Sequence, residues 1–424
     1  MDGTKKNSAW RWVPTLYIAE GLPYALVTGV SLVVYKNLGI SNTTTAFWSA
    51  LLGLPWIFKP LWGPLVDLLH TRRLWIWATQ LFMGAAMAGV ALALPLPHFF
   101  QVTLALFWLL GFASATHDIA ADGFYMLALD SGDQALFSGV RNTFYRVANI
   151  AAQGGLVVFA GKMQERTGSY ATAWLLAFAL AGTVVFLLAA YHGLVLPRPV
   201  PDVASAKHNQ NFSANFAETF TAFFQKPKIV ILLAFVLLFR FGEAQLLPVA
   251  KLFLLDARNK GGLALSNEDF GLIYGTLGVG ALLVGGLLGG YVVSRRGLKF
   301  WLWPMLLAIH LPDAVFIWLA YLQPAHLPAI AAGVVLEQFG YGFGFTAFML
   351  YLIHIARGPH ATAHYALCTG FMALGLTLPG MWSGWLQEHI GYQHFFVWVI
   401  FATIPSFLVA LKIPLEPEFG RKIN

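Results

Sequence analysis

The stretch Ala113–Asp122, which reads Ala-Ser-Ala-Thr-His-Asp-Ile-Ala-Ala-Asp, decides how this sequence is interpreted. It belongs to a long apolar segment, yet it carries a histidine, His117, and two carboxylates, Asp118 and Asp122. A carboxylate in hydrocarbon costs at least ~2.5–3.5 kcal/mol, so such groups persist where they face water or a charged partner. The stretch therefore predicts a membrane-spanning helix beside a polar pathway, and it favours a protein that moves a solute across the membrane.

The composition of the whole chain is that of a protein embedded in a membrane. Of its 424 residues, 58% are hydrophobic and 11% are charged, and the mean hydropathy is +0.67. A soluble globular protein carries about 25% charged residues. Apolar runs of about 18 or more residues recur along the chain, and each is long enough to cross ~30 Å of hydrocarbon as a helix. We therefore predict an all-α membrane protein with many spans.

We predict twelve membrane-spanning helices, whose orientation follows from the Lys and Arg residues between them. Sixteen of these residues fall in the segments on one side and six in the segments on the other. Because positive charge is enriched on the cytoplasmic side, both termini are expected in the cytoplasm. The same asymmetry accounts for the net charge of +7, so nucleic-acid binding is not expected. The helices are expected at roughly 13–36, 44–69, 74–95, 99–127, 136–161, 171–196, 229–251, 268–293, 299–322, 328–356, 361–387 and 392–413.

A polar stretch at 197–228 divides these spans six and six. We therefore expect an N-terminal six-helix bundle at 1–196, a cytoplasmic linker at 197–228 and a C-terminal six-helix bundle at 229–424. Aromatic residues recur in the linker at helical spacing, which predicts either an amphipathic helix on the inner membrane surface or an ordinary linker helix. These residues are Phe212, Phe216, Phe220, Phe223 and Phe224.

The two halves of the chain resemble each other. The sequence GKMQERTG at Gly161–Gly168 matches GWLQEHIG at Gly384–Gly391, at an offset of 223 residues. The same offset takes Glu20 in the first span to Glu243 in the seventh. Such internal symmetry is typical of transporters built from two bundles, and it predicts a substrate site between the halves.

Depth along the helices predicts which charges of the fourth and fifth spans meet. At 1.5 Å per residue, Asp118 lies ~13 Å and Asp122 ~7 Å from the inner end of the fourth span. In the fifth span Arg146 lies at ~15 Å and Arg141 at ~7 Å from that side. We therefore expect Asp118 to meet Arg146 and Asp122 to meet Arg141, the latter as a pair that gates the cytoplasmic side.

A substrate-binding site is expected at the depth of Asp118. Lys59 lies ~15 Å from the inner end of the second span, and Glu20 lies ~10 Å into the first. Two basic residues at this depth, Lys59 and Arg146, favour a substrate with carboxylate or phosphate groups. Asp118 is also a candidate proton carrier. His117 is interpreted either as a proton relay or as a buried packing residue. The candidate substrate-binding residues are Glu20, Tyr24, Lys59, His117, Asp118 and Arg146.

The predicted spans of the second half carry an excess of negative charge. Arg240, Glu243, Asp313 and Glu337 sum to 1 − 3 = −2. An unbalanced buried cluster requires a proton or a cation in at least one state of the protein. Glu243 and Glu337 are therefore candidates for proton coupling, together with Asp118.

Three stretches of the first half resemble a known transporter family. They are Ala19–Leu26 (AEGLPYAL), Phe58–Asp67 (FKPLWGPLVD) and His117–Gly123 (HDIAADG). Together they resemble the branch of the major facilitator superfamily that contains AmpG-type muropeptide permeases and acetyl-CoA transporters. The resemblance implies two six-helix bundles and a substrate that is a muropeptide, a CoA-like molecule or a siderophore.

The same resemblance implies a cytoplasmic gate between the second and third spans. Gly63 and Asp67, followed by Arg72 and Arg73, are similar to the loop signature of that superfamily. By this resemblance Asp67, Arg72 and Arg73 are gating residues, which join the expected pair of Asp122 and Arg141.

The sequence thus favours a secondary active transporter that imports an anionic or amide-rich solute with protons by alternating access. No nucleotide-binding loop, metal-ligand spacing or nucleophile motif is found, so we expect no cofactor, no metal and no enzymatic activity. Two alternatives stay open at this point: a membrane-embedded acyl-transfer enzyme that uses His117 and Asp118, and a ligand sensor that does not transport. Compact loops favour the inner membrane of a bacterium, and we expect a monomer whose partners are the substrate, protons and lipid.

Overall fold

The computed structural model describes residues 3–129, 131–198, 221–357, 361–417 and 419–421. All regular structure in these ranges is helical, which confirms the predicted all-α class. Packing divides the chain into two units, Met1–Gly39 with Leu52–Asn209, and Ile40–Leu51 with Gln210–Asn424.

Helices are numbered along the chain, and the first unit contains all of the first nine except α3. Its helices are α1 (Gly3–Ala25), α2 (Ser31–Asn37), α4 (Leu54–Leu69), α5 (Arg72–Ala93), α6 (Phe99–Ala128), α7 (Ser131–Ile150), α8 (Val157–Thr167) and α9 (Tyr170–Val195). Two π-helical turns, Leu26–Val30 and Ala151–Leu156, join α1 to α2 and α7 to α8.

The second unit contains α3 and the helices that follow α9. They are α3 (Asn42–Leu51), α10 (Ile229–Leu238), α11 (Phe241–Leu255), α12 (Asn267–Phe270), α13 (Val279–Arg296), α14 (Leu298–His310), α15 (Ala314–Leu322), α16 (Leu327–Ala356), α17 (Ala361–Ala402) and α18 (Ile404–Ala410). A π-helical turn, Gly271–Gly278, joins α12 to α13, and a 3-10 turn, Leu311–Asp313, joins α14 to α15.

Several helix ends follow from local sequence signals. The side chain of Thr71 accepts a hydrogen bond from the backbone N–H of Leu74 at the start of α5, and Ser169 caps α9 in the same way. Both satisfy N–H groups that the first helical turn leaves unpaired. Helix α8 ends at Gly168, which adopts a left-handed φ of 68° that glycine tolerates without strain.

Nine helices in the described residues are long and apolar enough to cross a membrane. One of them, Leu367–Ala410, covers the predicted eleventh and twelfth spans, and two helices meet within it at Gly391, where φ is 74°. The predicted second span appears as α3 and α4, and the predicted fifth as α7 and α8. The multi-pass architecture is therefore confirmed, whereas the number of twelve spans and the position of the termini stay predictions.

Helix α3 packs with the second unit, although the predicted domain boundaries assign it to the first half. The buried Asn42 Nδ2 donates to Gln387 Oε1 at 2.7 Å and to Asp256 Oδ2 at 3.1 Å. Tyr392 OH, which lies 3.0 Å from Asn42 Nδ2, donates to the same Asp256 oxygen at 2.8 Å. Buried polar groups need such partners, so this network attaches the start of α3 to the second unit.

The predicted linker helix is only partly described. Phe212, Phe216 and Phe220 lie outside the described residues. Phe223 is buried in the core of the second unit, where its ring stacks 6.3 Å from that of Phe371. This end of the stretch therefore packs into protein, and the amphipathic helix on the membrane surface stays a prediction.

Glycine permits the close packing of α13 on α16. A Cβ atom added at Gly342 would overlap the backbone carbonyl of Leu282, so the two helices approach each other at van der Waals distance. Small residues at helix interfaces allow such approach within membranes. Helix α13 also carries an exposed glycine, Gly290, at which an added Cβ meets no other atom within 4 Å.

We predict that Gly342→Val destabilises the protein by about 1–3 kcal/mol, because overpacking forces helices apart. The matched variant Gly290→Val introduces the same side chain into α13 at a position where it meets no other helix. It is expected to leave stability nearly unchanged. The midpoint of thermal unfolding in detergent measures both. Equal midpoints for the two variants would contradict the packing described here.

Candidate functional site

Asp118 on α6 is held by two residues of α4. Its side chain is buried, and its Oδ2 accepts a hydrogen bond from Trp56 Nε1 at 2.9 Å and lies 3.6 Å from Lys59 Nζ. Trp56 and Lys59 are three residues apart, so they share one face of the helix. The other carboxylate oxygen, Oδ1, is buried without a hydrogen-bond partner among the described residues. Asp118 thus presents one unsatisfied oxygen, which is the kind of group that binds a proton or a ligand donor.

The expected ion pair between Asp122 and Arg141 is present. Arg141 Nη2 lies 3.0 Å from Asp122 Oδ1, and the same oxygen accepts a hydrogen bond from Tyr17 OH at 3.1 Å. The guanidinium of Arg141 also lies over the rings of Tyr17 and Tyr125, at 4.8 and 5.2 Å from their centroids. These contacts fix Arg141 between α1 and α6, whereas its gating role stays a prediction.

Glu20 and Tyr24 on α1 lie beside the Asp118 group. Glu20 is buried, its Oε2 has no hydrogen-bond partner among the described residues, and it interacts electrostatically with Asp118 and Lys59. Tyr24 packs edge-on against Trp56, with centroids 5.0 Å apart. The structure therefore brings together four of the predicted substrate-binding residues. These four, with Trp56, are called the N-site: Glu20, Tyr24, Trp56, Lys59 and Asp118.

Arg146 does not pair with Asp118, contrary to expectation. Its side chain is exposed, and within the described residues its guanidinium forms no ion pair. Depth along a helix fixes height only, and Lys59 reaches Asp118 from α4 at the same height. The acids Glu20, Asp118 and Asp122 are thus matched by the bases Lys59 and Arg141, which gives a formal charge of 2 − 3 = −1. This group therefore carries one more acid than base.

His117 contacts a different set of residues from its neighbour Asp118. It is fully buried, and Gln80 Nε2 lies 2.9 Å from its Nε2. Gln80 Oε1 lies 2.9 Å from Nδ1 of His192, whose Nε2 lies 2.9 Å from Thr15 Oγ1. This chain of hydrogen bonds joins α5, α6, α9 and α1. It corresponds to the buried packing interpretation of His117, and its predicted contact with substrate stays untested.

The predicted gate residues of the loop between α4 and α5 are described in part. The side chain of Asp67 lies outside the described residues. Arg73 donates hydrogen bonds to the carbonyl oxygens of Gly193 and Leu196 at 2.5 and 3.2 Å. These carbonyls lie at the C-terminal end of α9, where a positive charge stabilises the helix. Arg72 packs against Gly123, where a Cβ atom would overlap its side chain. Their role in gating stays a prediction.

Glu243 in the second unit is neutralised by Arg240. Both side chains are buried, and Arg240 Nε and Nη2 donate to the two carboxylate oxygens, each at 2.9 Å. Arg240 also donates to Tyr341 OH at 2.8 Å and lies 4.9 Å from the ring centroid of Phe345. A two-pronged pair of this kind is strong and geometrically specific. It makes Glu243 a less accessible proton carrier than its sequence position suggests.

Glu337 has no cationic partner of this kind in the described residues. Its side chain is buried, and its Oε2 accepts a hydrogen bond from the adjacent Gln338 at 2.9 Å. The carboxylates of Glu243 and Asp313 interact with it electrostatically. The predicted acidic excess of this half is therefore present around Glu337 and Asp313.

Sequence reasoning missed several partners that complete these groups. Tyr17 and Phe345 carry no charge, and nothing in their spacing marks them as ligands of Asp122 or Arg240. Gln80 and His192 lie in different spans from His117. The signal available in the sequence was polarity: Gln80 is a polar residue within an apolar segment, and such residues are kept where they have a partner.

These features define a class before any relative is considered: a polytopic helical membrane protein with buried clusters of charged side chains inside its helix units. The family model described as Major Facilitator Superfamily matches residues 16–358. The chain therefore belongs to the major facilitator superfamily, a family of transporters and not of enzymes.

Curated relatives narrow the resemblance within this family. The chain is 26% identical over 411 residues to the anhydromuropeptide permease of Escherichia coli K12, an alignment that covers 96% of this chain and 80% of the relative. It is also 26% identical over 415 residues to a putative transporter named AmpG 4 of Rickettsia conorii, with 94% of each chain covered. The resemblance to AmpG-type permeases is confirmed.

Solved structures support the fold. The chain superposes on a D-xylose-proton symporter with a TM-score of 0.73 at 12% identity, covering 98% of this chain and 99% of the other. It superposes on the nucleoside transporter NupG with a TM-score of 0.71 at 16% identity, covering 96% and 100%. At such low identity the likeness concerns the fold alone.

We predict that Lys59→Met destabilises the protein, because it leaves the carboxylate of Asp118 without its cation. Lys59 is 34% exposed, so the loss should fall below the ~3–5 kcal/mol of a fully buried pair, at about 1–2 kcal/mol. The double variant Lys59→Met/Asp118→Asn should recover most of this loss, since its two side chains are neutral.

Thermal unfolding of the purified variants measures these changes, with Arg146→Met as the matched control. Arg146 is exposed, so its removal is expected to change stability by less than about 0.5 kcal/mol. If the loss of stability in the double variant equals the sum of the losses in Lys59→Met and Asp118→Asn, the two residues do not interact.

Proposed function

We propose that this protein is a proton-coupled symporter that imports an anionic or amide-rich solute across a bacterial inner membrane by alternating access. Membership of the major facilitator superfamily and the bacterial permeases among its relatives support this proposal. The single observation that carries it is the N-site, where two buried carboxylates meet one ammonium group and two aromatic rings, all three half-buried, inside one helix unit.

The chemistry of the N-site favours a muropeptide-like substrate over the other candidates. Lys59 offers a cation to a peptide carboxylate, while Glu20 and Asp118 each hold an oxygen that accepts an amide or hydroxyl donor. Tyr24 and Trp56 supply rigid rings that pack against a sugar. A relative named anhydromuropeptide permease makes a sugar–peptide conjugate the first substrate to test.

The excess of negative charge in each unit supports the proposed proton coupling. The acids around the N-site outnumber the bases by one, and the second unit carries Glu337 and Asp313 beyond the paired Arg240 and Glu243. A buried carboxylate without a cation is costly when ionised. Binding of a proton from outside removes that cost, and release to the cytoplasm restores the charge, so Asp118 and Glu337 are proposed as carriers.

The membrane topology proposed here has twelve spans in two six-helix bundles, with residues 1–196 and 229–424 as the bundles and both termini in the cytoplasm. The helices at Asn42–Leu69 and Ser131–Thr167, and the junction at Gly391, supply the three spans beyond the nine long apolar helices. The asymmetry of Lys and Arg supports the orientation.

We predict that proteoliposomes with an outward-to-inward proton gradient accumulate a radiolabelled anhydromuropeptide. Asp118→Asn is expected to reduce this accumulation to the level of protein-free vesicles, because the amide cannot exchange a proton and weakens the contact with Lys59. Glu165→Gln, which removes an exposed carboxylate of α8, is the matched control and should transport as the unaltered protein does.

Two results would contradict this proposal. Uptake that does not respond to the gradient in the unaltered protein would exclude proton coupling, and normal accumulation by Asp118→Asn would exclude the N-site. Binding of the labelled compound without uptake would favour a sensor, and its chemical conversion would favour an enzyme.

The single cysteine, Cys368, makes the topology testable. In a Cys368→Ala background, a cysteine introduced at Glu165 should react with a membrane-impermeant maleimide in intact cells. A cysteine at Arg198 should react only after the cells are permeabilised, because the proposed topology places it in the cytoplasm. Both positions are exposed, so reaction of Arg198→Cys in intact cells would contradict the orientation.

A further inference from the structure

A break in the middle of one membrane-spanning segment places a histidine beside an aspartate. Helix α14 ends at His310, the 3-10 turn Leu311–Asp313 follows, and α15 begins at Ala314. Pro312 has no N–H and cannot continue an α-helix, which accounts for the break. Helix α16 packs directly on this turn, because a Cβ atom at Gly340 would overlap the carbonyl of Ala308 and the ring of Pro312.

The hydrogen bonds of Ser406 determine which nitrogen of His310 carries a proton. Ser406 Oγ donates its one hydrogen to the carbonyl of Thr403 at 2.6 Å, and it lies 3.0 Å from His310 Nε2. With that hydroxyl hydrogen on the Thr403 carbonyl, we assign Nε2 as the donor to Ser406 Oγ. The backbone carbonyl of Phe239 is a further hydrogen-bond acceptor beside the ring. In the neutral ring, Nδ1 is then a bare acceptor.

Asp313 lies on the side of that bare nitrogen. Its Oδ2 is 4.0 Å from His310 Nδ1, and both residues are at most 2% exposed. Both carboxylate oxygens of Asp313 and the Nδ1 of His310 are buried without a hydrogen-bond partner among the described residues. An ionised aspartate facing a neutral imidazole here would set an anion against a lone pair, with no donor between them.

One added proton removes this repulsion between the carboxylate and the nitrogen lone pair, and it can reside on either residue. If it resides on Asp313, the acid is neutral and directs an O–H towards Nδ1. If it resides on His310, the imidazolium faces the carboxylate as an ion pair. We propose that His310 and Asp313 together form a binding site for one exchangeable proton in the second unit, a proposal that rests on the proton coupling put forward above.

The surroundings of the pair contain further acids. From α11 and α16, Glu243 and Glu337 act electrostatically on Asp313, and Glu243 is itself paired with Arg240. The rings of Phe239 and Phe407 lie 6.0 and 5.5 Å from that of His310. Ser406 and Thr403 complete the side towards α18. The proton is therefore enclosed by rings and acids, and it can leave only when water reaches the turn.

The sequence-based candidates on these helices differ from this pair in their partners. Glu243 is fully occupied by Arg240, and Glu337 is bonded to Gln338. The pair His310–Asp313 places an unbonded buried imidazole nitrogen 4.0 Å from an unbonded buried carboxylate oxygen. Binding and release of H⁺ at this pair involve no other reactant.

Infrared spectroscopy of the purified, reconstituted protein tests this site without a substrate. Near neutral pH we expect either the C=O stretch of protonated Asp313, which shifts on exchange into D₂O, or the ring modes of protonated His310. Whichever signal is present should decline as the pH is raised. Asp313→Asn should remove this contribution, so that the difference spectrum against the unaltered protein isolates it. Glu165→Gln, an exposed carboxylate, is the control and should give no such difference.

A second variant keeps the test decisive if Asp313→Asn does not fold, as judged by size-exclusion chromatography and circular dichroism. His310→Gln retains Asp313 but removes the imidazole, and it should move the C=O band and its pH midpoint. Unchanged bands in the folded variants would overturn the proposal, and so would a band that neither exchanges in D₂O nor responds to pH. If the proton site at His310 and Asp313 is refuted, gradient-driven uptake of solute can still be observed. If the band titrates but no uptake occurs, the proposed symport is refuted and the proton site is not.

Discussion

The cost of placing ionised side chains in a membrane governs this structure. Each carboxylate inside a span must find a cation, a hydrogen-bond donor, water or a proton. The structure meets this requirement in different ways: Asp122 with Arg141 and Tyr17, Glu243 with Arg240, and Asp118 with Lys59 and Trp56. Exposed pairs of this kind contribute little to stability, whereas removing one partner of a buried pair leaves an uncompensated charge and is strongly destabilising.

The two units differ in how their buried charged side chains are arranged. In the first, charges and aromatic rings of α1, α4 and α6 meet in the N-site, where one carboxylate oxygen each of Glu20 and Asp118 is buried without a hydrogen-bond partner among the described residues. In the second, Arg240 forms an ion pair with Glu243, and both Glu243 and Glu337 act electrostatically on Asp313 at the break beside Pro312. Substrate recognition is thus proposed mainly for the first unit, and proton storage for both.

The all-α membrane class was predictable, because hydropathy identifies apolar helices and the rise per residue gives the depth of each charge along a helix. The pairing of Asp122 with Arg141 followed from equal depth. The pairing of Asp118 with Arg146 failed, because depth does not fix how a helix is rotated and Lys59 faces Asp118 from α4. The hydrogen bond from Tyr17, the packing of α3 on the second unit and the pairing of His310 with Asp313 depend on tertiary contacts that a single sequence does not encode locally.

Proton movement during transport tests the central claim most directly. Vesicles containing the protein are placed in weakly buffered medium with a pH indicator, and an anhydromuropeptide is added without any imposed gradient. The account predicts alkalinisation of the medium as the solute enters, abolished by a protonophore. Entry of the solute without a change in external pH would contradict it, because the buried carboxylates would then carry no protons.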